Sequence, residues 1–387
     1  VSSRSDPDTA QDAAAFAARL QDDHARRRQG RQILRTAAWK AAHPRGRVVL
    51  FGPAVFENPY QTLLYSAFGG RVVPASPQRA PLYRRLGLAD VYHLHWDEFH
   101  LAPEPGPGSD GARPDYCAPL AAFRARGGRL VWTVHNAEAH SGMTPERAAL
   151  FEAGRAFLGR EADLIHVHSA QARELICERY GADPARVALL PHPAYTGWYS
   201  APAPGANVPA ARFLAFGAFR ENKGLDLILE GARRAAQQTD LGGLHIAGRG
   251  AERATEIAPG ISAEGVALQL SPGFVPDTAI AGLFSAAEFC VFGFSSILTS
   301  GSLMLALTFG TVPIVPDLPA MRAVLPAPFR PLFFAPGDAA DLARVMAAAA
   351  AMPGEQRAAL RAEALGLAQT LHPRTVSARL EAAIAAL

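Results

Sequence analysis

Short β-rich runs that end in glycine, proline or a polar cluster recur along this chain, each followed by a stretch of helical spacing. The series is interrupted once, at SAPAPGANVPAAR (Ser200 to Arg212). Before the interruption come RVVLFGP (Arg47 to Pro53), RVVPAS, DVYHLHW (Asp90 to Trp96), RLVWTVHN (Arg129 to Asn136) and DLIHVHS (Asp163 to Ser169). After it the pattern restarts with RFLAFGAF (Arg212 to Phe219), GLHIAGRG (Gly243 to Gly250), VALQLSPGF (Val266 to Phe274), EFCVFGF (Glu288 to Phe294) and VPIVPD (Val312 to Asp317). Strands separated by helices assemble side by side in parallel, because the helix carries the chain back along the sheet before the next strand begins. The predicted class is α/β, with two doubly wound domains joined by a Pro-, Ala- and Gly-rich linker. A length of 387 residues agrees, being more than one hydrophobic core usually supports. The expected division is a basic helical segment at 1–46, a first domain at 47–199 and a second at 200–371. The amphipathic end, 372–387, is free to pack back on the first domain.

With 49% hydrophobic and 19% charged residues, the composition is that of a globular protein. The sequence has no run of about 18–20 apolar residues that would span a membrane, and VSSRSDPDTAQD lacks the basic-then-apolar order of a signal peptide, so the expected address is cytoplasmic. A net charge of +3 makes no case for a nucleic-acid partner. Cys117, Cys177 and Cys290 are far apart and odd in number, which fits thiols in packing better than disulfides or metal ligands. Between Arg19 and Arg47 the cations Arg26, Arg27, Arg28, Arg31, Arg35, Lys40 and Arg45 interleave with Leu20, Ile33, Leu34 and Trp39. Two uses stay open for this stretch: peripheral contact with anionic lipid at the inner face of the plasma membrane, or an ordinary surface helix packed on the first domain.

Two places carry a phosphate-binding pattern. GAFRENKGLDLIL (Gly217 to Leu229) sets Arg220 and Lys223 on a loop between strand and helix, where the helix start adds positive potential. Further on, Thr299, Ser300, Gly301 and Ser302 precede a helix expected to begin near Ser302, where free N–H groups and hydroxyls suit phosphate oxygens. A solvated basic turn and simple helix capping are the structural alternatives. In the first half, the strands ending at Trp96 and His135 are followed directly by polar and acidic residues, and open α/β sheets bind ligands beyond such strand ends.

The order FGAFRENKG, IAGRG, GFVPD and a polar helix start ending in FGTVPIV resembles the donor half of GT-B glycosyltransferases. The resemblance covers residues 47 to 385 and implies a GT-B fold, two Rossmann-like domains facing a central cleft. It places Arg220 and Lys223 on the diphosphate of a nucleotide sugar, and Phe274 and Val275 against the base. The two glutamates that many retaining members carry around the late helix would fall at Ile297 and Leu305, so both carboxylates are missing. HLHWDE, NPYQTLLY, VWTVHNAEAH and LPHPAYTGWY look like the bacterial β-mannosyltransferase-like enzymes of exopolysaccharide assembly, of the xanthan type. That likeness implies GDP-mannose as donor and a polyprenyl-linked saccharide as acceptor. It makes Asn58, Tyr60, His95, Trp96, Asn136, His140, His192 and Tyr195 candidates to face acceptor or cleft. Where that group has His-Trp-Pro-Glu, this chain has His95-Trp96-Asp97-Glu98.

An inverting transfer needs a base at the acceptor hydroxyl and positive charge at the leaving diphosphate. Asp97, Glu98 and Glu138 are the available bases, and the resemblance sets His135 beside the donor sugar. No metal ligand set and no cofactor are expected, since no D-x-D triplet follows any of the predicted strands and His and Cys do not cluster together at ligand spacing. A UDP- or dTDP-sugar transferase with a small soluble acceptor, a GT-B-shaped nucleotide-sugar 2-epimerase and a non-catalytic nucleotide-binding scaffold are the competing functions.

Overall fold

The computed structural model describes residues 17–18, 20–21, 29–55, 57–98, 117–137, 143–199 and 211–387, with only the backbone of Gln29 and Glu221. Most of the expected linker, Ser200 to Ala210, lies outside them, as do Glu138 and His140. The chain divides into two compact units. One comprises the described residues up to Pro193 together with Pro373–Leu387, the other Ala194–His372.

The first unit is built on β1 (Val48–Gly52), β2 (Arg71–Pro74), β3 (Val91–Leu94), β4 (Arg129–Thr133), β5 (Leu164–Val167) and β6 (Val187–Leu189). They form a six-stranded parallel sheet in the order β2-β1-β3-β4-β5-β6. The order reverses between β1 and β3, the switch point at which such sheets open a crevice. Because side chains alternate along a strand, one face collects Val49, Val91, Val131 and Leu164 early and His93, Thr133 and His166 late. The early residues join a core with Val376, Leu380 and Ile384 of the helix Pro373–Ala385. That helix is pinned by Ser377 Oγ and Glu381 Oε1, which accept from the backbone N–H groups of Ala67 and Gly69 at 2.9 and 2.8 Å.

The helix Gln29–Ala42 lies against the β2 edge: Gln32 Nε2 donates to the Pro74 carbonyl at 2.8 Å, and Lys40 pairs with Asp90 at 3.1 Å. Its outer side exposes Arg31, Arg35 and Leu34, the last 70% accessible. The helical spacing read over Asn58 to Phe68 yields a shorter helix, Tyr60–Leu64. Beyond it the N–H groups of Ser66 and Phe68 turn back to the carbonyls of Leu63 and Tyr65, and the Tyr65 ring is drawn inward by the histidines described below.

The second unit carries β7 (Phe213–Phe216), β8 (Leu244–Gly248), β9 (Leu268–Pro272), β10 (Phe289–Val291), β11 (Val312–Pro316) and β12 (Phe333–Phe334). Their order is β12-β11-β10-β7-β8-β9, again all parallel, with the switch point between β7 and β10. The α/β, doubly wound class predicted from the alternation is the observed one. The edge strands β6 and β12 were not among the predicted runs, because two or three residues show no periodicity.

Candidate active site

In the second unit the loops after β7 and β10 meet at the switch point. A Cβ at Gly224, where φ is +58°, would collide with the Gly293 carbonyl oxygen, and one at Gly293 would collide with Gly224 in return. Only glycine supplies both the left-handed conformation and this approach of two backbones. The Ser295 N–H donates to the Asn222 carbonyl at 3.2 Å, closing the same junction. Gly224 starts the helix Leu225–Ala236 with no side chain capping its N–H groups. Beside it stands Lys223, partly buried, its ammonium 4.4 Å above the Phe294 ring. Burial, helped by the nearby charge of Arg220, lowers the Lys223 pKa to about 8. Among the described side chains, no carboxylate pairs with Lys223, and Arg220 itself is exposed.

The second helix start differs. Ser300 caps Gly301–Phe309, its buried Oγ accepting from the Leu303 N–H at 3.1 Å and lying 3.3 Å from Ser302 Oγ. The helix begins one residue before the expected Ser302, and Ser300 caps it as an acceptor, which leaves its O–H able to donate. Thr299, Gly301 and Ser302 remain partly open. Phe274 is 58% exposed under the Arg249 guanidinium, 5.6 Å from its ring, with Val275 beside it.

In the first unit the late residues of β3, β4 and β5 converge beneath the strand ends. Tyr65 Oη lies 2.7 Å from His93 Nδ1 and 2.8 Å from His95 Nε2. Thr133 Oγ1 links His93 Nε2 at 2.7 Å to His166 Nδ1 at 3.0 Å. His95 Nδ1 faces His135 Nε2 at 3.3 Å, while His166 Nε2 and His168 Nδ1 share the Leu190 carbonyl at 3.1 and 3.0 Å. Tyr60 Oη reaches His168 Nε2 at 3.1 Å. Burial, the largest influence on each ring, pushes every one of these imidazoles below its ordinary pKa, His93 to about 3 and His168 to about 4. His192, buried at the end of this unit, falls to about 3 for the same reason. Among the described residues no group of three His, Cys, Asp or Glu side chains is placed to hold a metal ion.

Above this cluster, Trp96 has a φ of +34° and stacks on His135 with centroids 4.4 Å apart. A tryptophan held in that region stores about 1–3 kcal/mol of strain, which the surrounding contacts must offset. Its neighbour Asp97 is fully buried against Arg155 of the helix Pro145–Glu161, Arg155 Nε and Nη2 donating to its two oxygens at 2.6 and 3.3 Å. Arg155 also donates to the carbonyls of Asn136 and Ala137, both at 2.8 Å. Burial opposes charge on the guanidinium, and the Asp97 carboxylate together with Tyr180 more than offsets it, raising the Arg155 pKa. Asp97, read from the sequence as a candidate base, is therefore an ion-pair partner whose oxygens face inward. Glu98 differs: its Oε1 accepts from Asn136 Nδ2 at 2.8 Å, which aims it from the β4 strand end.

The structure thus gathers Tyr60, His95, Trp96, Glu98, His135, Asn136 and His192 in one unit, with Asn58 turning the chain into the Tyr60 helix through a 3.0 Å bond from the Tyr60 N–H. Tyr195 belongs to the other unit, buried, its N–H donating to Thr308 Oγ1 at 3.0 Å. Sequence reasoning missed His93, His166, His168, Tyr65, Thr133 and Arg155. The doubled His-x-His in β3 and β5 was the available signal, since that spacing points both rings to one face.

Comparison with known proteins agrees with this architecture. The model of Glycosyltransferase Family 4 matches residues 109–196. The chain is 28% identical over 282 residues to a GDP-mannose:glycolipid 4-beta-D-mannosyltransferase of Xanthomonas campestris pv. campestris, covering 71% of this chain and 75% of that protein. A second enzyme of the same description from that organism is 27% identical over the same share. Among solved structures, Anabaena HepE in complex with UDP and glucose superposes with a TM-score of 0.62 at 13% identity, over 92% of this chain and 95% of that one. Sucrose-phosphate synthase from Thermosynechococcus elongatus does so at 0.63 and 16%, over 87% and 97%. The fold is GT-B.

Proposed function

We propose that this GT-B glycosyltransferase moves a mannosyl group from GDP-mannose to a saccharide carried on a lipid, with inversion and without a metal ion. The observation that carries the donor half is Lys223: a partly buried ammonium, unpaired with any described carboxylate, beside a helix start with no side-chain cap. A cation kept in that condition suits a diphosphate, whose developing charge it would meet together with Arg220 and the helix N–H groups. Phe274, exposed beside Val275, offers a face for the base.

The choice of GDP-mannose and a glycolipid acceptor is supported by the likeness to the two Xanthomonas mannosyltransferases. Inversion is supported by the apolar Ile297 and Leu305, which leave no carboxylate where retaining relatives carry theirs. Glu98, oriented by Asn136, is then the base that takes the proton of the acceptor hydroxyl. Contact with an anionic membrane is supported by the outward Arg31, Leu34 and Arg35. No helix among the described residues is long and apolar enough to cross a membrane.

Calorimetric titration with GDP-, UDP- and dTDP-sugars, followed by anomeric analysis of the product formed on a polyprenyl-linked saccharide, tests the proposal. GDP-mannose selectivity and a β product are expected. Selective binding of a UDP-sugar, or conversion of the donor alone to its 2-epimer, would overturn it.

A further inference from the structure

The hydrogen bonds beneath the first unit's strand ends run in one direction only. The Leu190 carbonyl can only accept, so His166 Nε2, 3.1 Å away, carries a proton. A neutral imidazole has one donor and one acceptor, so His166 Nδ1 accepts the Thr133 hydroxyl proton at 3.0 Å. Having spent that proton, Thr133 Oγ1 accepts from His93 Nε2 at 2.7 Å, and His93 Nδ1 in turn accepts the Tyr65 hydroxyl proton at 2.7 Å. The Tyr65 oxygen accepts from His95 Nε2 at 2.8 Å, which leaves His95 Nδ1 to accept from His135 Nε2 at 3.3 Å. Neutrality of every ring in the series follows from burial, which lowers His93 to about 3 and His95, His135 and His166 well below the usual value. His135 Nδ1 makes no hydrogen bond to a described residue, and its ring is held by the stacked Trp96.

We infer that the Leu190 carbonyl, acting through His166, Thr133, His93, Tyr65 and His95, fixes His135 with its proton on Nε2, so that Nδ1 offers a ligand only a lone pair. His135 then selects a saccharide hydroxyl, which can donate to it, and rejects a phosphate or carbonyl oxygen, which cannot. The nature of that ligand rests on the transferase reading given above; the tautomer does not. His166, Thr133, His93, Tyr65 and His95 are positioning residues.

The test is ¹⁵N-histidine NMR of the full chain, paired with calorimetry using GDP and GDP-mannose. In the unaltered protein His135 shows a protonated Nε2 and a bare Nδ1. Thr133→Val, which keeps the shape and removes the hydroxyl, mixes the two tautomers, while Thr133→Ser restores one. GDP-mannose affinity falls by about tenfold or more in Thr133→Val and recovers in Thr133→Ser, with GDP affinity constant throughout. If Thr133→Val does not fold, Tyr65→Phe breaks the series one link further on and is read the same way. A proton on His135 Nδ1 in the unaltered protein, or a tautomer indifferent to Thr133→Val, overturns the inference. Failure of the unaltered protein to bind GDP would sink the transferase reading instead, and the tautomer measurement would still decide the relay.

Discussion

Arg155 and Asp97 meet through two hydrogen bonds of 2.6 and 3.3 Å with neither side chain exposed, 58 residues apart in the chain. Desolvating two charges costs several kcal/mol each, and the attraction repays this only while both partners remain. Arg155→Met is therefore expected to lower stability by about 3–5 kcal/mol, and Asp97→Leu likewise. The double variant Asp97→Leu, Arg155→Met should recover most of the loss. Urea unfolding monitored by circular dichroism decides; equal stability of the single and double variants would contradict the paired arrangement.

Glu98, aimed by Asn136, carries a different expectation. Glu98→Gln should reduce transfer by about 10²–10⁴ fold, the range of a lost general base, with stability little changed. Asn136→Ala should give a smaller loss through misorientation. Steady-state rates with GDP-mannose and a lipid-linked acceptor measure both, and full activity in Glu98→Gln would remove it from the chemistry.

Lys223 makes donor binding sensitive to alkaline pH. Its pKa is lowered to about 8, so the free protein loses this charge as pH rises through that value. GDP affinity is expected to be constant below about pH 7 and to weaken steadily above about pH 8, since only the ammonium attracts the diphosphate. Lys223→Gln should bind weakly at every pH with a flat profile. Calorimetry across the range checks this, and a flat profile in the unaltered protein would exclude Lys223 from the grip.

The buried histidines make the first unit sensitive to acid. His93, His168 and His192 have folded-state pKa values of about 3 to about 4, below the unfolded 6.5, so the unfolded chain binds more protons in between. Their contribution to stability is fully present above about pH 6.5 and is lost progressively as pH falls towards the folded values. Each ring costs up to about 1.4 kcal/mol per pH unit in that window. Urea midpoints should fall markedly from pH 7 to pH 5, and coincident midpoints would show that the imidazoles are not held neutral.

The α/β class was legible because the central strands of both sheets are buried enough to read as apolar runs, bounded by glycine, proline or polar residues. Arg220, Lys223 and Gly224 were legible as a loop because cation, glycine and helix start are contiguous. Asp97 looked like a base for the same local reason: it follows a strand end. Its partner lies on the helix Pro145–Glu161, and nothing in the neighbouring residues announces the pairing.

By itself, then, the order of residues determined the parallel sheets and the loop that sets Arg220 and Lys223 before a helix start. Only the tertiary structure decided which carboxylate is consumed by an ion pair, and that His93, Thr133 and His166 join in one series of bonds. The reason is range. Periodicity and turn chemistry act over a few residues, whereas the Arg155–Asp97 pair and the His93–Thr133 bond, 58 and 40 residues apart in sequence, exist only after strand register has set neighbouring strands side by side.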